Sequence, residues 1–229
     1  MSLSLETFQW IAALDTCIEE RHLLKHPFYQ AWSAGTLPLD ALRAYAAQYY
    51  RHVAAFPTYL SAVHAQTEDL PTRRQILQNL LEEEAGSPNH PELWMRFAER
   101  LGLAREHVER MEIWPETRAL IETFRKLCRN AGTAAGLAAL YAYESQIPAV
   151  SEKKIEGLRR FYGFHDEEGY RYFTVHVEAD REHARVEREL LASHLTRENA
   201  DNALHVADEV LRALWDLLSA VCARHAICN

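Results

Sequence analysis

The sequence predicts an all-α fold, a compact single-domain bundle of seven or more helices. Three observations carry that expectation. Apolar residues recur at helical spacing along nearly the whole chain, Gly and Pro are scarce and fall mainly at segment boundaries, and no run alternates apolar and polar residues as a half-buried strand would. A first helix is expected from Leu5 to Arg21. The stretch KHPFYQAWSAGTLP reads as a loop, and a second helix starts near Leu39, with Pro57 expected to bend it. A third covers about Thr72 to Glu84, with Ile76, Leu77, Leu80 and Leu81 at core spacing. AGSPNHPELW interrupts, and a fourth follows through about Leu101. Further helices are expected from Glu116 to Cys128, from a Thr133 N-cap to the residue before Pro148, and from Val150 to Tyr162. A long polar helix begins after Asp166 and reaches His194. A last one runs from Glu198 to His225, and disorder is expected from about residue 226.

Composition narrows the function classes. A chain of 229 residues, 48% hydrophobic, can bury a substantial core. The formal net charge of −8 argues against nucleic acid as a partner, because phosphate binding needs a basic surface. The longest uncharged run, Asn130 to Tyr143, falls well short of the ~20 residues that span a bilayer. MSLSLETFQW lacks the basic and apolar regions of a signal peptide, and Cys17, Cys128, Cys222 and Cys228 form no CxxC pair. A reducing, cytoplasmic setting is the simplest expectation.

The chemistry concentrates in three places. In HVEADREH, His176, Asp180 and His183 recur at intervals of four and three, which puts them within a roughly 60° arc of one helix face. In GLAALYAYESQIP, a helix apolar around its circumference ends in Glu144. A helix apolar all round is buried, and a buried carboxylate must be protonated, paired or bound to metal. In LLEEEAGSPNH, helical spacing from Ile76 and Leu80 points Glu83 inward, with Glu84 close behind and Glu82 to the side, and His90 follows in a turn-favouring loop. Taken singly, Glu144 could surface beside an arginine, and the other two clusters could be solvated faces. Together, Glu83, His90, Glu144, His176, Asp180 and His183 supply three carboxylates and three imidazoles. Two divalent cations on that set leave one net positive charge for an oxygen-derived anion. Mixed His and carboxylate ligation suits iron or manganese and dioxygen chemistry, and helix-bundle cores are where such pairs are built; zinc tolerates the same atoms. Glu187 shares the face but lies about 16 Å along the axis from His176, so it is expected to support the site or meet solvent.

HPFY, YYRHVAAFPTYLSAVH, EEEAGSPNHPELW, AALYAYESQIP, EKKIEGL and YFTVHVEADREHA, in this order, resemble the group of the chlamydial protein associating with death domains and its bacterial relatives. That group lies in the heme-oxygenase-like superfamily, near the pyrroloquinoline-quinone synthase and thiaminase-II branches. The resemblance covers nearly the whole chain and fades after about Ala192. It implies a helical fold, a homodimer and a non-heme di-metal centre of iron and/or manganese on the same six ligands. It further implies p-aminobenzoate synthesis with dioxygen and an external reductant, the ring coming from the enzyme's own Tyr29 and the amino group from its own Lys154, with Lys153 adjacent. Tyr45, Tyr49, Tyr50, Tyr141, Tyr143 and Tyr172 are candidates for an aromatic interior near the ligands. Three rivals stand beside this reading: a thiaminase-II-like hydrolase that needs a cysteine nucleophile, a cofactor-free oxidase on an external heterocycle, and a helical interaction module.

Overall fold

The computed structural model describes residues 4–227, and among them it contains eleven α-helices and no strand. They are α1 (Leu5–Glu20), α2 (Pro27–Ala34), α3 (Leu39–Gln66), α4 (Leu70–Glu84), α5 (His90–Arg100), α6 (Arg105–Arg110), α7 (Pro115–Asn130), α8 (Thr133–Glu144), α9 (Ile147–Phe161), α10 (Arg171–His194) and α11 (Ala200–Arg224). The starts follow local chemistry. Ser4, Asp69 and Asn89 cap α1, α4 and α5 with side-chain oxygens that accept amide hydrogen bonds, and α4 and α5 each carry a proline in the first turn.

Several expectations change. The loop-like stretch after residue 24 contains α2, started by Pro27 and stopped by Gly35, whose φ of 71° is left-handed. A side chain at Gly35 would also strike the Phe161 ring at 2.5 Å. α3 runs through Pro57 as one helix, as expected, and α6 is a short helix that the sequence does not predict. Thr133 is the first residue of α8, with Gly132 at its cap, and α9 begins at Ile147, before Pro148. On α4, Ile76 is buried, whereas Leu77 and Leu81 are exposed, as is Glu84; the inward stripe is Thr72, Ile76, Asn79 and Glu83. Ala226 and Ile227 are placed beyond α11, where the Ile227 amide donates to the Cys222 carbonyl; residues 228 and 229, on which the rest of the expected disordered end falls, lie outside the described residues, as does Cys228.

The buried apolar residues form one continuous cluster. α8, buried on every side, packs against α10, α11, α7 and α3, and its polar C-terminal residue is thereby carried into the interior. α10 runs between α8, α9, α5 and α4 and presents its His and Asp face to them. α2 lies against α9 through a close approach at Gly157, where an added Cβ would sit 2.5 Å from Trp32 Cδ1 and 2.6 Å from Nε1. Trp32 is fully buried and its indole donates to the Lys154 carbonyl at 3.3 Å. Overpacking such a ring costs more than alanine gains over glycine in a helix. Gly157→Ala is therefore expected to lower stability by about 1–2 kcal/mol, a fall of about 2–8 °C in Tm. Thermal unfolding measures it, and an unchanged Tm would mean that Trp32 swings aside freely.

Candidate metal centre

All six side chains singled out by spacing are buried, and they converge as two triplets. Glu83, His90 and His176 form the first and Glu144, Asp180 and His183 the second, with the ligand atoms of each triplet within 4.8 Å of one another. His90 stands at the first position of α5, not in a loop, because Asn89 caps the helix one residue earlier. Its Nδ1 lies 2.9 Å from Glu83 Oε2, and His176 Nε2 lies 3.9 Å from Glu83 Oε1. His176 Nδ1 donates to the Tyr172 carbonyl at 2.6 Å, which frees Nε2 for a cation. His183 is held the other way round. Its Nε2 meets Glu82 Oε2 at 2.9 Å, while Nδ1 lies 3.3 Å from both Glu144 Oε1 and Asp180 Oδ1. A carboxylate on the far nitrogen fixes tautomer and ring orientation, as metal-binding histidines require.

The donor set fits a pair of metal ions. Glu144 Oε2, Asp180 Oδ2 and both oxygens of Glu187 are buried and find no hydrogen-bond donor among the described residues. Glu187 lies carboxyl to carboxyl against Glu144. Such a contact needs a shared proton or a cation. Burial and the Glu144 charge push the Glu187 carboxyl far above the ordinary range, and burial carries Asp180 up to about 7. Burial alone would lower His183, but hydrogen bonds to Asp180 and Glu144 raise it to about 11. A proton on His183 thus answers the carboxylates, and Glu144, Asp180 and His183 would release it on holding a cation. Burial and the neighbouring His90 hold His176 well below its usual range, so its Nε2 keeps a lone pair. The space between the triplets, bounded by Tyr143 and Tyr172 as well as by ligand candidates, is about 10 Å³.

Beyond the triplets lies a cluster of packed aromatic rings. Tyr172 stacks on His176 with ring centroids 4.0 Å apart and meets Trp94 edge-on at 4.8 Å. Trp94 in turn contacts Tyr49 at 5.0 Å and Tyr45 at 5.8 Å. Tyr49 donates to Tyr143 at 2.9 Å. At the far end the Tyr45 hydroxyl lies 3.1 Å from that of Tyr29 and accepts from Lys154 Nζ at 2.9 Å. The Lys154 amine is 5.5 Å from the Tyr29 ring centroid and is faced by Phe173 at 4.9 Å. Lys153, its neighbour, is exposed and paired with Glu156. Tyr50 is only half-buried, and Tyr141 turns away to donate to Asp15.

The profile of a family described as iron-containing redox enzymes matches residues 43–216. The chain belongs to that family. Within it, this redox enzyme is 50% identical over 211 residues to the 4-aminobenzoate synthase of Chlamydia pneumoniae, covering 92% of this chain and 94% of that one. It is 42% identical to the 4-aminobenzoate synthase of Nitrosomonas europaea, covering 91% and 89%. A solved domain from Shewanella denitrificans, described as having a heme oxygenase-like fold, superposes with a TM-score of 0.80 at 16% identity over 99% of this chain and 95% of that one, which fixes the fold alone. Among the described residues, no helix of this redox enzyme is long and apolar enough to cross a membrane.

Two features around the triplets, Asn79 and the partnership of Glu82 with His183, lie outside the sequence reading, whereas Glu187 takes the supporting place that reading allows it. Asn79, one turn before Glu83, donates to Glu144 Oε1 at 3.0 Å; a lone amide on the apolar face of α4 was its signal. Glu82 supports His183 across helices, which nothing in the sequence indicates. Glu187 is buried beside the second triplet because Glu144 sits level with His183, one turn away, rather than with His176.

Proposed function

We propose that this redox enzyme is a 4-aminobenzoate (p-aminobenzoate) synthase that consumes its own Tyr29 and Lys154. The observation that carries the reading is the juxtaposition of the Lys154 amine and the Tyr29 ring, 5.5 Å apart and both bridged by the Tyr45 hydroxyl, inside a buried packing of aromatic rings. Glu83, His90 and His176 would hold one cation and Glu144, Asp180 and His183 the other, as iron, manganese or one of each. When bound, that pair supplies the reduction of dioxygen with electrons from an external donor. The identity of the relatives supports the activity, and a homodimeric assembly completes the reading.

The chain's own groups do the rest. Burial brings the Lys154 pKa down from 10.5 to about 7, so near neutrality much of the amine is unprotonated and nucleophilic. Tyr29 is fully buried, and burial pushes its phenol up, so the ring is presented neutral. Ring contacts lead from His176 through Tyr172 and Trp94 to Tyr45, whose hydroxyl is hydrogen-bonded to that of Tyr29, a path for an electron out of the phenol. The packed rings exclude water and limit side reactions. Burial also drives the Cys128 thiol up, so it is a poor nucleophile for the hydrolase alternative.

In the product the Tyr29 ring keeps one carbon as carboxylate and gains nitrogen in place of its hydroxyl, so a chain that has reacted is altered at residue 29. Intact-mass and peptide analysis after aerobic reaction with metal and reductant are expected to show mass lost at Tyr29, a changed Lys154 and about one product per chain. Product formation by chains of unchanged mass would overturn self-consumption.

A further inference from the structure

Between α4 and α10, on the outer side of the second triplet, lies a cavity of about 110 Å³ whose wall includes Asn79, Glu82, His183 and Glu187. That is room for about three or four waters at ~30 Å³ each. Outward, it adjoins an open groove with which it shares Glu182 and Val186. Inward, its wall holds the imidazole of the second triplet. Glu82 spans the two environments: its side chain is 40% exposed, yet Oε2 lies 2.9 Å from His183 Nε2. Arg185, on the groove, is engaged by Glu182 and Glu189, so among the described residues Glu82 is held only by the Gln78 amide, which donates to its Oε1 at 3.0 Å, and by His183. At the inner end, Glu187 is 4% exposed and neither of its oxygens finds a donor among the described residues. A buried carboxylate with no donor is costly, and neither Glu82 nor Glu187 belongs to the two triplets.

We infer that this cavity is the route by which divalent cations reach the second triplet, with Glu82 meeting the hydrated ion at the surface and Glu187 receiving it inside before Glu144, Asp180 and His183 take it. The inference rests on the metal-centre reading. Its physical logic is stepwise exchange of ligands. A divalent ion stripped of water in one move would face a large desolvation cost, whereas carboxylates placed in succession replace its waters one or two at a time. Glu82 adds attraction from solution, and His183, freed on one nitrogen by the ion's approach, can adjust its ring to receive it.

The test uses the full-length chain stripped of metal by chelation and mixed with Mn²⁺. Uptake is followed by loss of the aqueous ion's EPR signal, and final content is measured separately. Wild type is expected to bind two ions at a rate that falls with ionic strength. Glu82→Gln keeps an oxygen for His183 Nε2–H but loses the charge. It is expected to slow uptake by about tenfold and to flatten the salt dependence, with two ions bound at saturation. Glu187→Gln is expected to slow uptake similarly. Wild-type rates in both variants would overturn the route. A saturating content below two in Glu187→Gln would make Glu187 a ligand and overturn its transit role. A wild-type chain that binds no Mn²⁺ would instead overturn the metal-centre reading itself.

Discussion

Lys154→Met is expected to abolish p-aminobenzoate formation and, at the same time, to make the metal-free protein more stable. The amine is buried among rings, with the Tyr45 hydroxyl as its hydrogen-bond partner. Its pKa falls from 10.5 to about 7 because burial penalises the charged form. Between those values the unfolded chain binds a proton that the folded chain does not. Stability therefore rises with pH from about 7 to 10.5 and is flat below 7, where both states are protonated and the full penalty of roughly 4–5 kcal/mol applies. Methionine fills the same space without that penalty and forfeits one hydrogen bond of about 1 kcal/mol. The net gain at pH 7 is about 3 kcal/mol, and it shrinks toward pH 10. Denaturant unfolding of both proteins at the two pH values reads it directly. A variant no more stable than wild type at pH 7 would mean that the rings hold Lys154 as a stabilised cation, and the amine would then not be poised to attack. Metal content should stay at two, which separates loss of the nitrogen donor from loss of the centre.

Glu144→Leu carries the second large effect. The carboxylate is 1% exposed, accepts from Asn79, faces His183 and is pressed against Glu187. Removing it takes one ligand from the second triplet and also relieves the contact between two carboxyls. Metal bound at saturation is expected to fall from two ions to about one. Losing an outer partner of a ligand already costs 10–100-fold, so losing a ligand should lower product formation by about a hundredfold or more. The metal-free variant should be at least as stable as wild type, since replacing buried charge with hydrocarbon is neutral or stabilising by up to ~4 kcal/mol. Each cation at a hundred times its Kd adds about 2.7 kcal/mol, roughly 5–10 °C in a chain of this length. The rise in Tm on adding metal should therefore be about half that of wild type. Elemental analysis with paired melts checks this, and a variant that still binds two ions would remove Glu144 from the ligand set.

Much of the site was legible because helices impose periods. The four-and-three spacing of His176, Asp180 and His183 requires only that α10 be a helix, and Glu144 stands out because residues 134–143 before it on α8 are all apolar, glycine or aromatic. Glu83 followed from the turn that begins at Ile76. What lay beyond local periodicity was misread or missed. α2 reads as loop because eight residues between a proline and a glycine give barely two turns of pattern. The turn-favouring Ser-Pro-Asn before His90 suggests a loop, but Asn89 and Pro91 carry the signs of a helix start. Leu77 and Leu81 share the spacing of core residues but face out, since Asn79 and Glu83 claim the inward stripe of α4. The partnership of Glu82 with His183 joins residues 101 apart in sequence and depends wholly on how α4 meets α10. Tyr29 and Lys154 show the same dependence. A buried lysine cannot be told from an exposed one by its neighbours, and only the packing of α2 on α9 separates Lys154 from Lys153.

Tyr29 is not a surface reagent but a core residue, packed edge-on against Phe28 and stacked near Trp32. A molecule that surrenders this ring keeps a hole where the phenol stood, and emptying an aromatic site costs about 3–5 kcal/mol. Against a total of about 5–15 kcal/mol, that shift multiplies the unfolded fraction by roughly two to four orders of magnitude. Spent molecules would thereby label themselves for cellular proteases, and disposal would be paced by synthesis without a separate signal.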